Sequence, residues 1–113
     1  MHEMSICESI LGVIEAQAVA QSFRKVRWVR LEIGPLAGVE TEALRFSFDV
    51  VTRGSLAEGA ALEIIAPPVT AWCMLCAEAV EVSQRFDPCP KCGSHQVQIT
   101  GGDELRIKDM EVD

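Results

Sequence analysis

The chain has 113 residues, of which 49% are hydrophobic, and carries a formal net charge of −7 at pH 7. This length supports one compact domain or two small ones with a limited core, which disfavours a large catalytic cavity. The excess of acidic residues disfavours nucleic acid as a partner, because sequence-independent affinity for phosphates comes mainly from Lys and Arg.

The apolar stretches are too short to predict a transmembrane helix. Residues 10–14 are interrupted by Gly12, and residues 57–68 by charged residues and Gly59, whereas a bilayer span needs about 20 continuous apolar residues. The first five residues carry an acid and lack the basic region of a secretory signal. We therefore expect a cytoplasmic protein without membrane insertion.

The first predicted element is a helix over residues 5–22. Ser5 and Glu8 have the spacing of a capping box, and apolar residues follow at helical intervals. Cys7 lies on this apolar stripe, so we interpret it as a small buried core residue, in preference to a metal or redox role. The stripe consists of Ile6, Cys7, Ile10, Leu11, Ile14 and Ala18.

A strand and a second helix are predicted next. Over residues 26–33, apolar and charged residues alternate with the period of two that is typical of a half-buried strand. Residues 41–51 instead place apolar side chains at helical spacing, and Gly54 follows the predicted helix end. The apolar face of this helix contains Leu44, Phe48 and Val51, widened by Ala43, Phe46 and Val50.

The remaining pattern predicts that a second module is inserted into the first. Residues 62–66 read as a short buried strand, and Pro67-Pro68 then marks a boundary. After a glycine joint at Gly101-Gly102, Leu105 and Ile107 alternate with charged residues, which predicts a last strand that returns to the first sheet. We expect an α/β (α+β) fold with one domain from residues 1–66 and 102–113 and another from residues 67–101.

Four of the five cysteines form two C-x-x-C pairs, the spacing of a zinc ribbon. Predicted strands at residues 79–86 and 97–100 complete the ribbon. Four thiolates leave no open position for a substrate, which favours a structural Zn²⁺ ion, and iron is the chemical alternative. The predicted ligands are Cys73, Cys76, Cys89 and Cys92.

His95 follows the last of these cysteines by three residues. One interpretation is a half-exposed histidine of the ribbon. The other is an accessory ligand for a second metal, or a ligand that exchanges at the zinc ion. The sequence leaves both interpretations open.

The segment Met1-His2-Glu3 offers a second kind of metal site. The His2 imidazole, its backbone nitrogen, the Met1 terminal amine and the Glu3 backbone nitrogen could together surround one ion in a plane. Planar, nitrogen-rich coordination suits Ni(II) or Cu(II). Glu3 and Glu40 are candidate oxygen donors, and a simply solvated histidine is the alternative.

Taken together, these motifs resemble the HypA/HybF family of nickel-insertion accessory proteins of hydrogenase maturation. The resemblance covers nearly the whole chain. The segments that carry it are Met1-His2-Glu3 leading into Ser5-Ile6, Leu31-Glu32-Ile33-Gly34, the four-cysteine pattern with Cys89-Pro90-Lys91-Cys92-Gly93-Ser94, and Gly102-Asp103-Glu104-Leu105-Arg106-Ile107.

The resemblance implies a nickel-binding domain of two helices and a small sheet, with an inserted zinc domain. It implies that the chain binds Ni(II), cooperates with a HypB-type GTPase and delivers the ion to the large-subunit precursor of a [NiFe] hydrogenase; some members also supply urease. His2 and Glu3 match the nickel motif. Glu40 falls where some members place an aspartate, and a charge at a helix N-terminus is its alternative role.

Two other classes of function are weighed against this one. A zinc-ribbon adaptor would bind a protein partner and use no nickel. An enzyme would need His2 or His95 beside a carboxylate, and the chain offers few catalytic groups and no glycine-rich phosphate loop. We therefore expect a protein that is not an enzyme, and the sequence leaves open whether it works as a monomer or a homodimer.

Overall fold

A computed structural model describes residues 2–113. It contains two α-helices and six β-strands in a mixed α+β arrangement. These are α1 (Glu3–Gln21), β1 (Val26–Ile33), α2 (Thr41–Val51), β2 (Ala61–Ile65), β3 (Val69–Cys73), β4 (Glu78–Val82), β5 (Val97–Gly101) and β6 (Leu105–Val112). The strands form two sheets of three, in the orders β2-β1-β6 and β4-β3-β5.

The chain forms two compact units. The first contains the described residues up to Leu31, together with Val39–Ile64 and Ile107–Asp113. The second contains Glu32–Gly38 and Ile65–Arg106. In the described residues, neither helix is long and apolar enough to cross a bilayer.

Helix α1 begins earlier than the sequence pattern predicts. His2 is the N-cap residue, and its carbonyl accepts a hydrogen bond from the Ile6 amide at 3.1 Å. Ser5 therefore lies inside the first turn, and the predicted capping box is wrong, because a cap residue must precede the helical backbone. The predicted apolar stripe is confirmed at Cys7, which is fully buried. Ile10 and Ile14 are buried beside it on α1.

The predicted bounds of β1 and α2 are confirmed. Leu44 and Phe48 of α2 are buried as expected, since they lie four residues apart on one helical face. Phe46 is an exception. Because 67% of its surface is exposed, the prediction that it widens the apolar face is wrong. Two residues after Leu44, its side chain points well away from the buried face.

The three strands of the first sheet are tied together on one face by Arg30 of β1. Its guanidinium pairs with Glu63 of β2 at 3.0 Å and with Asp109 of β6 at 3.4 Å, and it lies over the ring of Trp28. These contacts agree with the strand order. The expected return of the last strand to the first sheet is confirmed.

The second sheet differs from the sequence prediction in two places. Strand β3 lies at Val69–Cys73 and was not predicted. Strand β4 ends at Val82, so the prediction of a strand up to residue 86 is wrong. The backbone turns there, and the Asp87 carboxylate accepts hydrogen bonds from the amides of Ser83 and Gln84.

The glycine joint is densely bonded. The Gly102 carbonyl accepts the Leu36 amide at 2.7 Å, and the Gly34 amide donates to the Glu104 carbonyl at 2.9 Å. The Glu104 carboxylate also accepts the Gly102 amide, at 3.0 Å from Oε1. Gly102 has φ +119°, a conformation that glycine adopts at low cost.

Candidate metal centres

The first candidate centre lies at the start of α1. The His2 side chain is exposed and makes no capping hydrogen bond to the helix. The first N–H groups of any helix have no acceptor one turn back. A metal ion could therefore use the His2 imidazole and the backbone nitrogens at this end without removing a hydrogen bond from the helical ladder.

Glu3 connects this end of α1 to the start of α2. Its Oε2 accepts a hydrogen bond from the Glu40 amide at 3.1 Å. That donation favours the charged carboxylate and lowers the pKa of Glu3. The structure thus brings the Glu3 carboxylate to the backbone of Glu40, the other candidate oxygen donor.

Glu40 itself is the N-cap residue of α2. Its Oε1 accepts the Glu42 amide at 3.2 Å, a capping contact that satisfies one of the free amides of the helix end. This contact agrees with the alternative role of Glu40 as a charge at a helix N-terminus. Its role as a nickel ligand stays a prediction, and the Met1 terminal amine lies outside the described residues.

The second candidate centre is the predicted four-cysteine cluster. In the structure of residues 2–113, these four cysteines come together as a group that could hold a metal ion, with all four sulfurs within 4.8 Å of one another. The Cys73 and Cys92 sulfurs are 3.6 Å apart, and those of Cys76 and Cys89 are 4.0 Å apart. Sulfurs bound tetrahedrally to zinc at about 2.3 Å are separated by about 3.8 Å. The cluster therefore fits a zinc ribbon.

The two C-x-x-C turns share one backbone geometry. The Ala77 amide donates to the Cys73 carbonyl at 2.9 Å, and the Gly93 amide donates to the Cys89 carbonyl at 2.8 Å. Ala77 and Gly93 both adopt left-handed backbone angles, with φ of 53° and 76°. The first turn therefore takes the same shape although alanine stands where the second turn has glycine.

Amide groups point at the sulfurs in both turns. The Cys76 amide lies 3.4 Å from the Cys73 sulfur, and the Lys91 amide lies 3.4 Å from the Cys89 sulfur. Such donors stabilise negative charge on a thiolate. The Lys91 ammonium, paired with Glu78, adds a positive charge next to this turn.

The cluster is also part of the ribbon's hydrophobic core. Cys73 and Cys89 are buried with Ala71 and Val80, while Cys92 is exposed. The partly buried residues Cys76, Val82, Val97 and Ile99 pack against this core. A metal bound here would join the two turns across a small core, which is the role of a structural ion in a domain of this size.

As free thiols, the cysteines differ in acidity. The Cys92 amide, helped by the Lys91 amide, holds the pKa of Cys89 at about 7. Hydrogen bonds to the sulfurs of Cys92 and Cys73 raise the pKa of Cys76 to about 12. The Cys89 sulfur is thus ready to ionise near neutral pH, whereas a divalent cation is needed to bring Cys76 to the thiolate form.

The chain is similar to known proteins along its whole length. Residues 1–112 match the family described as "Hydrogenase/urease nickel incorporation, metallochaperone, hypA". The chain is 59% identical to the hydrogenase maturation factor HypA of Azotobacter vinelandii and 60% identical to that of Alkalilimnicola ehrlichii, in each case over 100% of both chains. This chain belongs to the HypA family.

Solved structures of HypA proteins agree with this assignment. The solution structure of the Ni metallochaperone HypA from Helicobacter pylori is similar with a TM-score of 0.71 and 27% identity, covering 99% of this chain and 97% of that one. A second HypA solution structure is similar with a TM-score of 0.74. The α+β fold of this HypA-family chain is therefore that of its relatives.

Sequence reasoning missed the contacts that support the two candidate centres. The link between Glu3 and the Glu40 amide joins residues 37 positions apart, and no local pattern signals it. The left-handed backbone at Ala77 was hidden because alanine is not a typical residue for that conformation. The equivalent position of the second turn, Gly93, was the signal that could have revealed it.

His95 is exposed and is not a member of the four-sulfur group. It lines a shallow hollow together with Phe86 and Ile99. Its role as an accessory or exchanging ligand stays a prediction.

Proposed function

We propose that this HypA-family chain binds Ni(II) at its N-terminus and delivers it to the large-subunit precursor of a [NiFe] hydrogenase. The ligands are the His2 imidazole, the backbone nitrogens of His2 and Glu3 and the Met1 amine, which must be unblocked. The match to a nickel-incorporation family over residues 1–112 carries this proposal. The exposed His2 side chain and the helix start at Glu3 support it.

The four cysteines hold a structural Zn²⁺ ion in this proposal. Their sulfur separations suit a tetrahedral ion, and four sulfur ligands exclude a substrate from the metal. Nickel is therefore the cargo and zinc the resident ion. The nickel-binding domain is formed by residues 1–66 and 102–113, and the zinc domain by residues 67–101.

Delivery of nickel also requires partner proteins. The chain cooperates with a HypB-type GTPase in the cytoplasm, transfers an ion without covalent chemistry and is not an enzyme. A net charge of −7 supports protein partners over nucleic acid.

Nickel titration of the zinc-loaded, untagged protein tests the proposal. A His2→Ala variant is expected to lose at least about tenfold in nickel affinity, since loss of even an outer-shell partner typically costs tenfold or more. His95→Ala is the matched control, because it removes the other histidine of the chain. Equal nickel affinity in the wild type and the His2→Ala variant would refute the assignment of His2.

A Glu40→Gln variant separates the two roles of Glu40. The amide oxygen of glutamine can still accept the Glu42 N–H, whereas the negative charge is lost. A weaker nickel site with an unchanged melting temperature would assign Glu40 to nickel. An unchanged nickel affinity would leave Glu40 with its capping role alone.

The second candidate is a zinc-ribbon adaptor without nickel function. It is favoured by the exposed apolar side chains in and around the first C-x-x-C turn and the loop after β4, namely Trp72, Met74, Leu75 and Phe86. This candidate predicts that added nickel binds equally weakly to the wild type and to the His2→Ala variant. Nickel titration therefore separates the two candidates.

A further inference from the structure

Phe86 is the most exposed large apolar residue of the chain as described. Its surface is 92% accessible, although phenylalanine is among the residues most often buried. Its backbone is left-handed, with φ 69°, which is unusual for a residue with a bulky side chain. Strained backbone at an exposed aromatic residue is a reason to look for a function in its surroundings.

The loop that carries Phe86 is held by its own hydrogen bonds. The Asp87 Oδ2 accepts the amides of Ser83 at 3.0 Å and Gln84 at 3.1 Å, and the Asp87 amide donates to the Gln84 carbonyl at 3.4 Å. These bonds hold the loop backbone that carries Phe86. A backbone segment that is held in place before binding loses less conformational entropy when a partner docks.

A hollow of about 200 Å³ lies beside this ring. We call it the Phe86 hollow; its walls are Arg85, Phe86, Asp87, His95, Val97 and Ile99. Small-molecule and cofactor pockets usually have about 300–1,000 Å³. The Phe86 hollow is thus too small for a cofactor, and it suits one aliphatic side chain against Phe86, Val97 and Ile99.

The charged residues around the hollow indicate which group of a partner would lie next to that aliphatic side chain. Lys91 and Arg106, the other cations of the second unit, are paired with Glu78 and Glu32. Arg85 has no ion pair with any described residue. The Asp87 carboxylate also lines the hollow, but its Oδ2 is held by backbone amides of its own loop, so Arg85 is the charged wall residue that is available to pair with an incoming carboxylate.

We propose that the Phe86 hollow is a docking site for a peptide segment of a partner protein in which an aliphatic side chain stands next to a carboxylate. The aliphatic group packs on Val97, Ile99 and the ring of Phe86. The carboxylate pairs with Arg85. This site lies on the ribbon and does not depend on nickel binding at His2.

Selection from a phage-displayed library of random short peptides tests the proposal. The bait is the full-length, zinc-loaded wild-type protein, and a parallel selection uses the Phe86→Ala variant. The expected result is enrichment on the wild type alone of peptides with Leu, Ile or Val next to Asp or Glu. Failure to enrich such peptides, or equal enrichment on both baits, would overturn the proposal.

A synthetic copy of the enriched peptide then tests the individual residues by fluorescence anisotropy. Phe86→Ala and Arg85→Gln are each expected to weaken its binding by about tenfold or more, as anchor residues of small interfaces do. Phe46→Ala and Lys108→Gln are the matched controls, because they remove from the first unit an exposed ring and a cation that has no ion pair within residues 2–113. Equal losses in the control variants would refute the assignment of the site.

A Phe86→Gly variant distinguishes loss of the aromatic ring from an effect on folding. Glycine adopts the left-handed backbone without strain, so the loop should keep its shape while the ring is lost. Retained zinc content with lost peptide binding supports the proposal. Retained peptide binding in this variant would contradict it.

Discussion

Replacing Gly34 with alanine is expected to destabilise the protein, because a Cβ atom at this position has no room. It would lie 2.0 Å from the Gly102 carbonyl oxygen and 2.2 Å from the Gly102 carbonyl carbon, whereas ordinary contact begins at 3.4 Å. Both neighbours are backbone atoms, so neither can move aside by a change of rotamer. The Gly34 and Gly102 segments must therefore separate.

The magnitude follows from the hydrogen bonds that such a separation breaks. They run from the Gly34 amide to the Glu104 carbonyl and from the Leu36 amide to the Gly102 carbonyl. At about 1 kcal/mol each, their loss amounts to about 2 kcal/mol. For a chain of this size, that corresponds to a fall in melting temperature of roughly 10 °C.

Denaturant unfolding of the zinc-saturated protein, followed by tryptophan fluorescence, measures this change. Trp28 and Trp72 report on the first and second units. Gly12→Ala is the matched control: it makes the same chemical change inside α1, where a Cβ meets nothing within 4 Å, and should stabilise the protein by about 1 kcal/mol. A Gly34→Ala variant as stable as the wild type would refute the close approach of Gly34 and Gly102.

Further predictions concern the cysteines and their turns. Gly93→Ala should destabilise the protein by about 1 kcal/mol from left-handed backbone strain alone, since its Cβ meets nothing within 4 Å. Ala77→Gly should be neutral or stabilising by up to about 1 kcal/mol. Denaturant titration measures both changes in the free energy of unfolding, and changes of equal sign would count against the shared turn geometry. Cys7, which is buried with a pKa raised to about 11 by desolvation, should resist alkylation by iodoacetamide at neutral pH until the protein unfolds, and rapid labelling of the native protein would disprove its burial. Zinc uptake by the four free thiols should release protons and strengthen as pH rises. Cys76, with a pKa of about 12, is protonated at neutral pH and must ionise, whereas Cys89, with a pKa of about 7, is already partly ionised. Calorimetry in buffers of different ionisation enthalpy measures the proton release, and zinc uptake without proton release would contradict this prediction.

Much of the architecture could be predicted from local pattern. The alternation in Val26–Ile33 and the helical spacing in Thr41–Val51 gave the observed bounds, because these elements bury one face and expose the other. The four cysteines were found for a different reason. Their spacing reflects the geometry of a metal ion, and the structure brings the sulfurs together.

Other features depend on contacts that the local pattern does not contain. Strand β3 was missed although Val69, Ala71 and Cys73 alternate as buried residues, because the strand follows a proline pair and merges into the first C-x-x-C turn. The start of α1 was misplaced because Ser5 and Glu8 imitate a capping box. The helix starts at Glu3, whose carboxylate accepts a hydrogen bond from the amide of Glu40, a residue far away in the sequence.

Metal-specific X-ray absorption of the protein loaded with one zinc ion and one nickel ion distinguishes the nickel cargo site from the structural zinc site. We expect the zinc spectrum to show four sulfur neighbours at about 2.3 Å. We expect the nickel spectrum to show nitrogen neighbours in a planar arrangement, without sulfur. Sulfur ligands in the nickel spectrum, or nickel neighbours that do not change in the His2→Ala variant, would contradict the separation of cargo and structural metal.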